Sequence, residues 1–260
     1  MHQVLIYADK GVDGGALKQL VRSLKHALGA SAYELRRVDA NILLTENWEE
    51  SAALLIIPGG RDIFYHAALD GAGTERIRRY VENGGKYLGI CAGAYFACKA
   101  IEFEKGGALE VCADRSLQFF PGIAKGPAYG PDKYSYENAR GVEAAVVTWQ
   151  DGACPIYFNG GCLFDADDLY PHVDTVSRYI DLEGRPAAIV DIPIGQGRAI
   201  LSGVHVEYSP LYLNAADPYL QKLIPIFEKA EGERRLLFRS LLARLGLHHF
   251  RENSMAQSSN

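Results

Sequence analysis

The stretch KYLGICAGA at residues 86–94 decides the fold, because an apolar strand runs here into a cysteine, Cys91, flanked by small residues. Such a cysteine is typical of a nucleophile elbow, a strained turn from strand to helix at which small neighbours let a substrate approach the reactive atom. Gly89, Ala92 and Gly93 are the small neighbours, and the dipole of the following helix favours the thiolate. Taken alone, the segment is equally compatible with a buried structural cysteine at the end of a core strand.

A second pattern, LSGVHVE at residues 201–207, also follows an apolar strand and places His205 and Glu207 two residues apart. On an extended segment this spacing directs both side chains to the same side, so that the carboxylate orients the imidazole while the imidazole faces a nucleophile. Together with Cys91, the pattern predicts a catalytic triad. Alone, a His-x-Glu at a strand end is compatible with an ordinary surface pair.

The third pattern is ALLIIPGGRD at residues 53–62, an apolar strand closed by a Pro-Gly-Gly turn. Backbone N–H groups in such a turn can point into a cleft, and the N–H of Gly60, or alternatively of Gly59, would form an oxyanion hole with that of Ala92. A plain tight turn after a buried strand is the competing interpretation. The candidates for substrate contact near these strand ends are Gly59, Arg61, Asp62 and Tyr95, with Asp9 and Lys10 after the first strand.

The size and charge of the chain limit the number of domains and the kinds of partner that we expect. The 260 residues could form one large α/β domain or two small ones, and a hydrophobic fraction of 48% is ample for a sizeable core. The net charge of −5, without a long basic run, argues against nucleic acid and against an anionic membrane surface as partners.

The spacing of the cysteines and the first residues of the sequence predict the cellular compartment of the protein. The five cysteines show neither metal-ligand nor disulfide-framework spacing, so no metal and no cofactor is expected. The sequence starts in its first predicted strand without a charged leader or a long apolar segment. We therefore expect a reduced, cytoplasmic protein, unless a signal peptide was trimmed.

The first hundred residues alternate between short apolar runs and amphipathic stretches, the pattern of βαβ units and a parallel sheet. Strands are predicted at residues 4–8, 33–38, 53–57 and 87–90, and helices at residues 15–28, 73–83 and 92–100. Ligands bind at the carboxyl ends of the strands in such a sheet. The cysteine, the histidine and the glycine turn are therefore expected at one edge.

From residue 101 to residue 181 the pattern becomes β-rich, with strands predicted at 109–111, 142–148 and 153–158. The aromatic stretch 119–131 is expected to be a mobile loop over the cleft. Strands at 187–192 and 197–201 then lead to His205. We divide the chain into one domain at 1–230 and a C-terminal helix with a disordered tail at 231–260, the helix packing on the domain or forming a dimer contact.

The chain resembles the class I glutamine amidotransferase-like superfamily and, within it, the N-terminal domain of biotin-protein ligases and its free-standing bacterial relatives. The matching phrases are PGGRD with Tyr65, YLGICAGAY at 87–95, YFNGG at 157–161 and LSGVHVE at 201–207. The resemblance implies a flavodoxin-like three-layer α/β/α sandwich with a mainly parallel sheet. It also implies Cys91, His205 and Glu207 as the triad.

Two departures concern the substrate. Glutamine-hydrolysing members usually carry a histidine and a glutamine at the third and fourth positions past the cysteine, where this chain has Ala94 and Tyr95. Val206 replaces the proline of their His-Pro-Glu but leaves both acting residues in place. The resemblance therefore implies the nucleophile and its base and leaves glutamine specificity open. A complete biotin ligase, which needs a separate adenylating domain, is not expected.

Three functions remain open. The first is a cysteine-dependent hydrolase or amidotransferase acting on a small-molecule amide, and the second is a non-catalytic ligand-binding or regulatory module. The third is a glutaminase subunit that delivers ammonia to a synthetase partner. The oligomeric state is open as well.

Overall fold

The computed structural model describes residues 2–29, 33–165 and 167–248. The helices are α1 (Gly14–Leu28), α2 (Ala40–Thr45), α3 (Asp62–Leu69), α4 (Ala72–Glu82), α5 (Ala92–Phe96) and α6 (Ile224–Arg244). The strands are β1 (His2–Tyr7), β2 (Tyr33–Val38), β3 (Ala52–Ile57), β4 (Lys86–Ile90), β5 (Cys98–Phe103), β6 (Val111–Asp114), β7 (Phe120–Gly126), β8 (Val142–Trp149), β9 (Gly152–Asn159), β10 (Leu163–Phe164), β11 (Asp174–Arg178), β12 (Ala187–Ile194) and β13 (Gly197–Ser202). Within this described part, none of the helices combines the length and apolar character that a membrane span requires.

One large sheet runs through the molecule in the order β2-β1-β3-β4-β13-β12-β10-β7-β5-β6, and β11 also pairs with β12. The neighbouring pairs from β2 to β13 are all parallel, as is the pair β5 and β7. The pairs made by β6, β10, β11 and β12 are antiparallel. Strands β8 and β9 form a separate antiparallel hairpin. Strands β4 and β13 are adjacent, so their carboxyl ends bring the two predicted catalytic segments side by side.

Helices cover both faces of the sheet because its central strands are apolar on both sides. In β1, Val4 and Ile6 belong to one hydrophobic core and Leu5 and Tyr7 to the other, as the twofold period of a strand requires. The first core is shared with α1, α6 and the β8–β9 hairpin, and the second with α2 to α5. The predicted three-layer fold with a mainly parallel sheet is confirmed.

The helix predicted at residues 92–100 is wrong in its second half. Helix α5 ends at Phe96, and the chain turns at once into β5, which pairs in parallel with β7 and antiparallel with β6. Cys98, Ile101 and Phe103 are buried in this strand. Pairing on both edges outweighs the weak helical preference of so short a segment.

The mobile loop predicted at residues 119–131 is also wrong. Most of the stretch is β7, which lies inside the sheet between β5 and β10. Phe120 and Ala124 are fully buried, and their spacing is the alternation of a half-buried strand that the glycines and prolines obscure in the sequence. The strand expected at 109–111 lies instead at Val111–Asp114.

Helix α6 crosses the boundary between residues 230 and 231 at which we divide the chain. Its buried face includes Leu237, Phe238 and Leu241, which join the core shared with α1 and the β8–β9 hairpin. The division into a domain and a tail remains a proposal. The tail predicted to be disordered from Glu252 lies outside the described residues.

Candidate active site

Cys91 sits on a sharp turn between β4 and α5, with φ 51° and ψ −108°. A non-glycine residue in this region is strained by about 1–3 kcal/mol and persists where the surrounding structure fixes it. The Cys91 N–H donates to Ser202 O in β13 at 2.8 Å, which ties the elbow to the end of the neighbouring strand. A sharp strand-to-helix turn of this kind is the backbone geometry that a nucleophile elbow requires.

The small residues beside the cysteine are required by close backbone contacts. A Cβ at Gly93 would lie 1.9 Å from Ile57 O, and a Cβ at Gly89 would lie 2.5 Å from Gly93 O. Only glycine at both positions lets α5 pack this closely on the ends of β3 and β4. The packing holds Cys91 at the carboxyl edge of the sheet, as the sequence predicts.

His205 and Glu207 lie beyond the end of β13, in a turn rather than on an extended strand. The two side chains do meet, as predicted. The predicted reason, that they lie on one side of an extended strand, is wrong. His205 Nδ1 is 2.8 Å from Glu207 Oε1, and both side chains are buried. The His205 N–H donates to Tyr157 O at 2.8 Å, which fixes the turn against β9.

The imidazole faces Cys91 with its second nitrogen. Since Nδ1 is bound to Glu207, Nε2 is the ring nitrogen left to interact with the nearby Cys91 thiol. Burial alone would lower the pKa of His205, but the Glu207 charge, the bonds to Cys91 and Glu207 and the Cys91 charge raise it to about 10. The imidazolium is therefore favoured at neutral pH.

The carboxylate of Glu207 is fully buried, and side chains of α1 and α6 form hydrogen bonds to the backbone of its segment. The Ser23 hydroxyl donates to Glu207 O, and Arg234 Nη1 donates to Val206 O, both at 2.6 Å. These bonds restrain the turn that carries His205 and Glu207. Tyr208 packs edge-on against the His205 ring, with ring centroids 4.8 Å apart.

The glycine turn after β3 lies directly beside the cysteine and the histidine. A Cβ at Gly59 would lie 2.8 Å from His205 Cε1 and 3.6 Å from Cys91 Cβ, so a side chain here would collide with the histidine ring. The hydroxyl of Tyr65 donates to Gly59 O at 3.2 Å. Among the described residues, the N–H groups of Gly60 and Ala92 donate to no other group, which leaves both free to bind an oxyanion.

A cleft of about 580 Å³ opens onto these groups. Its walls include the glycine turn, Cys91 and His205, and its outer wall is the irregular segment at residues 134–139 with Tyr134 and Tyr136. The Arg61 guanidinium lies 4.3 Å from the centroid of the Tyr136 ring, at the exposed side of the cleft. A volume of this size suits a small-molecule ligand.

The predicted substrate contacts line two cavities. Gly59 lines the large cleft, Asp62 and Tyr95 line a neighbouring cavity of about 20 Å³ that also touches Cys91, and Arg61 lines both. Such a cavity has room for about one water molecule. Asp62 is buried in an ion pair with Arg115, with Oδ2 2.7 Å from Arg115 Nη2. The Tyr95 hydroxyl donates to Gly160 O at 3.1 Å.

The remaining candidates lie elsewhere. Asp9 accepts hydrogen bonds from the N–H groups of Lys10 and Ala40, so its carboxylate holds the start of α2. Lys10 lies over the Phe64 ring at 4.8 Å. Within the described part of the chain, no group of three or more His, Cys, Asp or Glu side chains is arranged to hold a metal ion.

Sequence reasoning missed several residues of the cleft. Asn159 lines it, and the Cys91 thiol lies 3.8 Å from Asn159 O. Tyr157 and Tyr208 stack with ring centroids 4.2 Å apart beside His205. The phrase YFNGG contains two of these residues, but nothing in its spacing assigns them a role. Tyr134 and Tyr136 carry no sequence signal for the site.

The fold of the chain is of the class I glutamine amidotransferase-like type. The structure is similar to one described as "Crystal structure of glutamine amidotransferase", with a TM-score of 0.60, 20% identity, and coverage of 94% of this chain and 98% of that one. At this identity the likeness is one of fold.

The chain belongs to the family described as "Biotin-protein ligase, N terminal", whose model matches residues 2–260. It is 47% identical over 214 residues to an "Uncharacterized protein" of Chlamydia muridarum (strain MoPn / Nigg), covering 81% of this chain and 82% of that one. It is 34% identical over 250 residues to the "Biotin--protein ligase" of Schizosaccharomyces pombe (strain 972 / ATCC 24843). The match covers 94% of this chain and 38% of the ligase.

Proposed function

We propose that this chain is a cysteine-dependent hydrolase or amidotransferase that acts on an amide, with Cys91 as nucleophile, His205 as base and Glu207 as the residue that orients the base. The single observation that carries the proposal is the strained elbow of Cys91 with its thiol beside a buried, Glu207-paired imidazole. A strained backbone is maintained where function requires it, and a buried imidazolium stabilises a thiolate.

The geometry supports a two-stage reaction. The Cys91 sulfur attacks the amide carbonyl carbon, and the thiol proton resides on His205. The N–H groups of Gly60 and Ala92 bind the oxyanion of the tetrahedral intermediate. The C–N bond then breaks, His205 gives its proton to the leaving amine, and a thioester remains on Cys91. Water attacks the thioester as His205 takes a proton from it, the C–S bond breaks, and the sulfur takes the proton back from His205. The products are a carboxylic acid and the free Cys91 thiol.

Tyr95 bears on the choice of amide. It occupies the position from which glutamine-hydrolysing relatives are expected to hold their substrate, and its buried ring is fixed by the hydrogen bond to Gly160 O. A phenol ring cannot offer the paired donor and acceptor of a carboxamide. We therefore expect the preferred substrate to be an amide other than free glutamine. The exposed guanidinium of Arg61 suits an anionic group at the other end of that substrate.

A partner and a compartment belong to the same proposal. The match to part of a biotin-protein ligase favours a functional link with a synthetase or ligase, in which this chain would process an amide. No step of biotin ligation is proposed for the site, because its acting groups are a thiol, an imidazole and a carboxylate. Five free cysteines fit a reducing compartment such as the cytoplasm.

The experiment is amine or ammonia release from a panel of carboxamides that includes free glutamine. We expect Cys91→Ala to lower the rate of any amide that the wild type hydrolyses by about 10³-fold or more, because the nucleophile is lost. Cys112→Ala is the matched control, since Cys112 is exposed and lies outside the cleft, and it should leave the rate unchanged. Turnover that survives Cys91→Ala would contradict the proposal.

The non-catalytic alternative predicts a different outcome. A carboxamide that raises the melting temperature equally in the wild type and in Cys91→Ser, with no amine released, would favour a ligand-binding module. Turnover that appears only on addition of a synthetase partner would favour the ammonia-delivering subunit.

A further inference from the structure

A second cavity, which we call the rear pocket, has a volume of about 120 Å³ and lies between α1, α6 and the 3₁₀ turn Pro210–Tyr212. Four arginines line it, together with His26 and Tyr212; they are Arg22, Arg234, Arg235 and Arg239. Neither Cys91 nor His205 lines this pocket. It is therefore separate from the cleft described above.

One of the four arginines is neutralised by the protein itself. Arg234 Nε lies 2.7 Å from Glu231 Oε2, and the guanidinium also donates to Val206 O. Glu231 is the carboxylate that lines the pocket, and the Ser209 hydroxyl donates to it at 3.1 Å. The charges of Arg234 and Glu231 therefore cancel.

The other three guanidinium groups have no acidic partner. Within residues 2–29, 33–165 and 167–248, neither Arg22, Arg235 nor Arg239 forms an ion pair. Arg239 Nε is buried and has no hydrogen-bond acceptor in the described structure. A buried, unpaired donor on a cation is costly. The chain has a net charge of −5, so a generally basic surface does not explain three neighbouring arginines without an acidic partner.

His26 adds no positive charge to the rear pocket at neutral pH. Its Nε2 is in contact with Arg235 Nη2, an arrangement in which the arginine donates and the imidazole accepts. Partial burial and then the charges of Arg235 and Arg239 lower the pKa of His26. The rear pocket thus presents about three uncompensated positive charges.

We infer that the rear pocket is a binding site for the phosphate group of a small soluble ligand, held by Arg22, Arg235 and Arg239. Guanidinium groups bind a tetrahedral oxyanion through paired, charge-assisted N–H donors. An anion there would supply the acceptor that Arg239 Nε lacks. Since one water needs about 10–15 Å³, a volume of 120 Å³ accommodates a phosphate group with part of its hydration.

The rim of the rear pocket would hold the remainder of the ligand. Leu211, which is 77% exposed, and Tyr212 lie at the opening, and the Arg22 guanidinium covers the Tyr212 ring at 4.1 Å. The volume of only about 120 Å³ favours a free phosphate compound over the headgroup of a lipid in a bilayer. The experiment described next distinguishes a soluble phosphate compound from a lipid headgroup.

The test is a titration of the full chain with inorganic phosphate and pyrophosphate, with sodium chloride at matched ionic strength as the reference. We expect a saturable rise in melting temperature of about 3 °C and a calorimetric binding isotherm. The double variant Arg22→Ala/Arg239→Ala should remove both signals. Arg239→Lys, which keeps the charge, should retain part of the binding. Lys229→Ala, an exposed cation on α6 outside the pocket, is the matched control and should bind as the wild type does.

The outcomes decide the inference independently of any amide chemistry at Cys91. Stabilisation that phosphate and chloride produce equally, or that the double variant retains, would overturn it. If the double variant fails to fold, Arg239→Lys and Lys229→Ala still provide the comparison, and equal affinities in the two would overturn it as well. Sedimentation with phosphatidylcholine vesicles only when they contain phosphatidic acid, without binding of either soluble anion, would assign the pocket to a lipid headgroup and contradict the soluble ligand.

Discussion

Replacement of Gly93 by alanine will leave the chain unfolded, or less stable than the wild type by more than about 4 kcal/mol. The added Cβ would lie 1.9 Å from Ile57 O and 2.6 Å from Ile57 C. Both atoms belong to the backbone at the end of β3, inside the sheet, where no side chain can turn away to make room. The measurement is the free energy of unfolding in urea, or the recovery of folded protein if the variant does not accumulate.

Gly232→Ala provides the matched control for this substitution. Gly232 is exposed in α6, and a Cβ there meets nothing within 4 Å. Since alanine favours a helix more than glycine does, this variant should gain about 0.5–1 kcal/mol. A Gly93→Ala protein as stable as the wild type would mean that α5 does not pack on β3 as described, and the position of Cys91 would then be in question.

Gly59→Ala will disable the site while leaving the fold intact. Its Cβ would lie 2.8 Å from His205 Cε1, so the imidazole must shift away from Cys91 or rotate out of its bond to Glu207. The displaced imidazole would stabilise the thiolate, the form that iodoacetamide alkylates, less well. We expect the alkylation of Cys91 by iodoacetamide at neutral pH to slow by about tenfold. The free energy of unfolding should change by much less than in Gly93→Ala.

The control for Gly59→Ala is Gly14→Ala. Gly14 lies in the first turn of α1, and a Cβ there meets nothing within 4 Å. The Cys91 alkylation rate should be unchanged in this variant. Equal rates in Gly59→Ala and the wild type would show that His205 does not lie where the collision requires it.

The parallel half of the sheet and the elbow were predictable from sequence because their signals are local. Apolar strand runs closed by glycine turns identify β1, β3 and β4, and a cysteine among small residues at the end of such a run is typical of an elbow. The general rule that functional residues gather at the carboxyl ends of parallel strands predicts that the site lies at one edge of the sheet, whereas the adjacency of β4 and β13 is seen only in the structure. The three segments of the site were therefore recognisable although they are distant in sequence.

The remaining features depend on contacts that the sequence does not display. Strand β7 looked like a loop because Pro121, Gly122 and Gly126 interrupt an alternation that is visible only once Phe120 and Ala124 are known to be buried. The outer wall of the cleft comes from an irregular segment, whose path is set by the whole domain rather than by local preference. The rear pocket combines arginines from α1 and α6, which are about two hundred residues apart along the chain.

The pH dependence of Cys91 alkylation by iodoacetamide, followed by peptide mapping in the wild type and in His205→Ala, tests the central claim most directly. His205, whose pKa is raised to about 10, keeps its proton through neutral pH and stabilises a thiolate beside it. The wild-type rate at neutral pH should therefore exceed that of the variant. In His205→Ala the alkylation rate should rise about tenfold per pH unit up to about pH 8.5, near the pKa of an ordinary thiol. Coincident profiles in the two proteins would contradict an activated nucleophile.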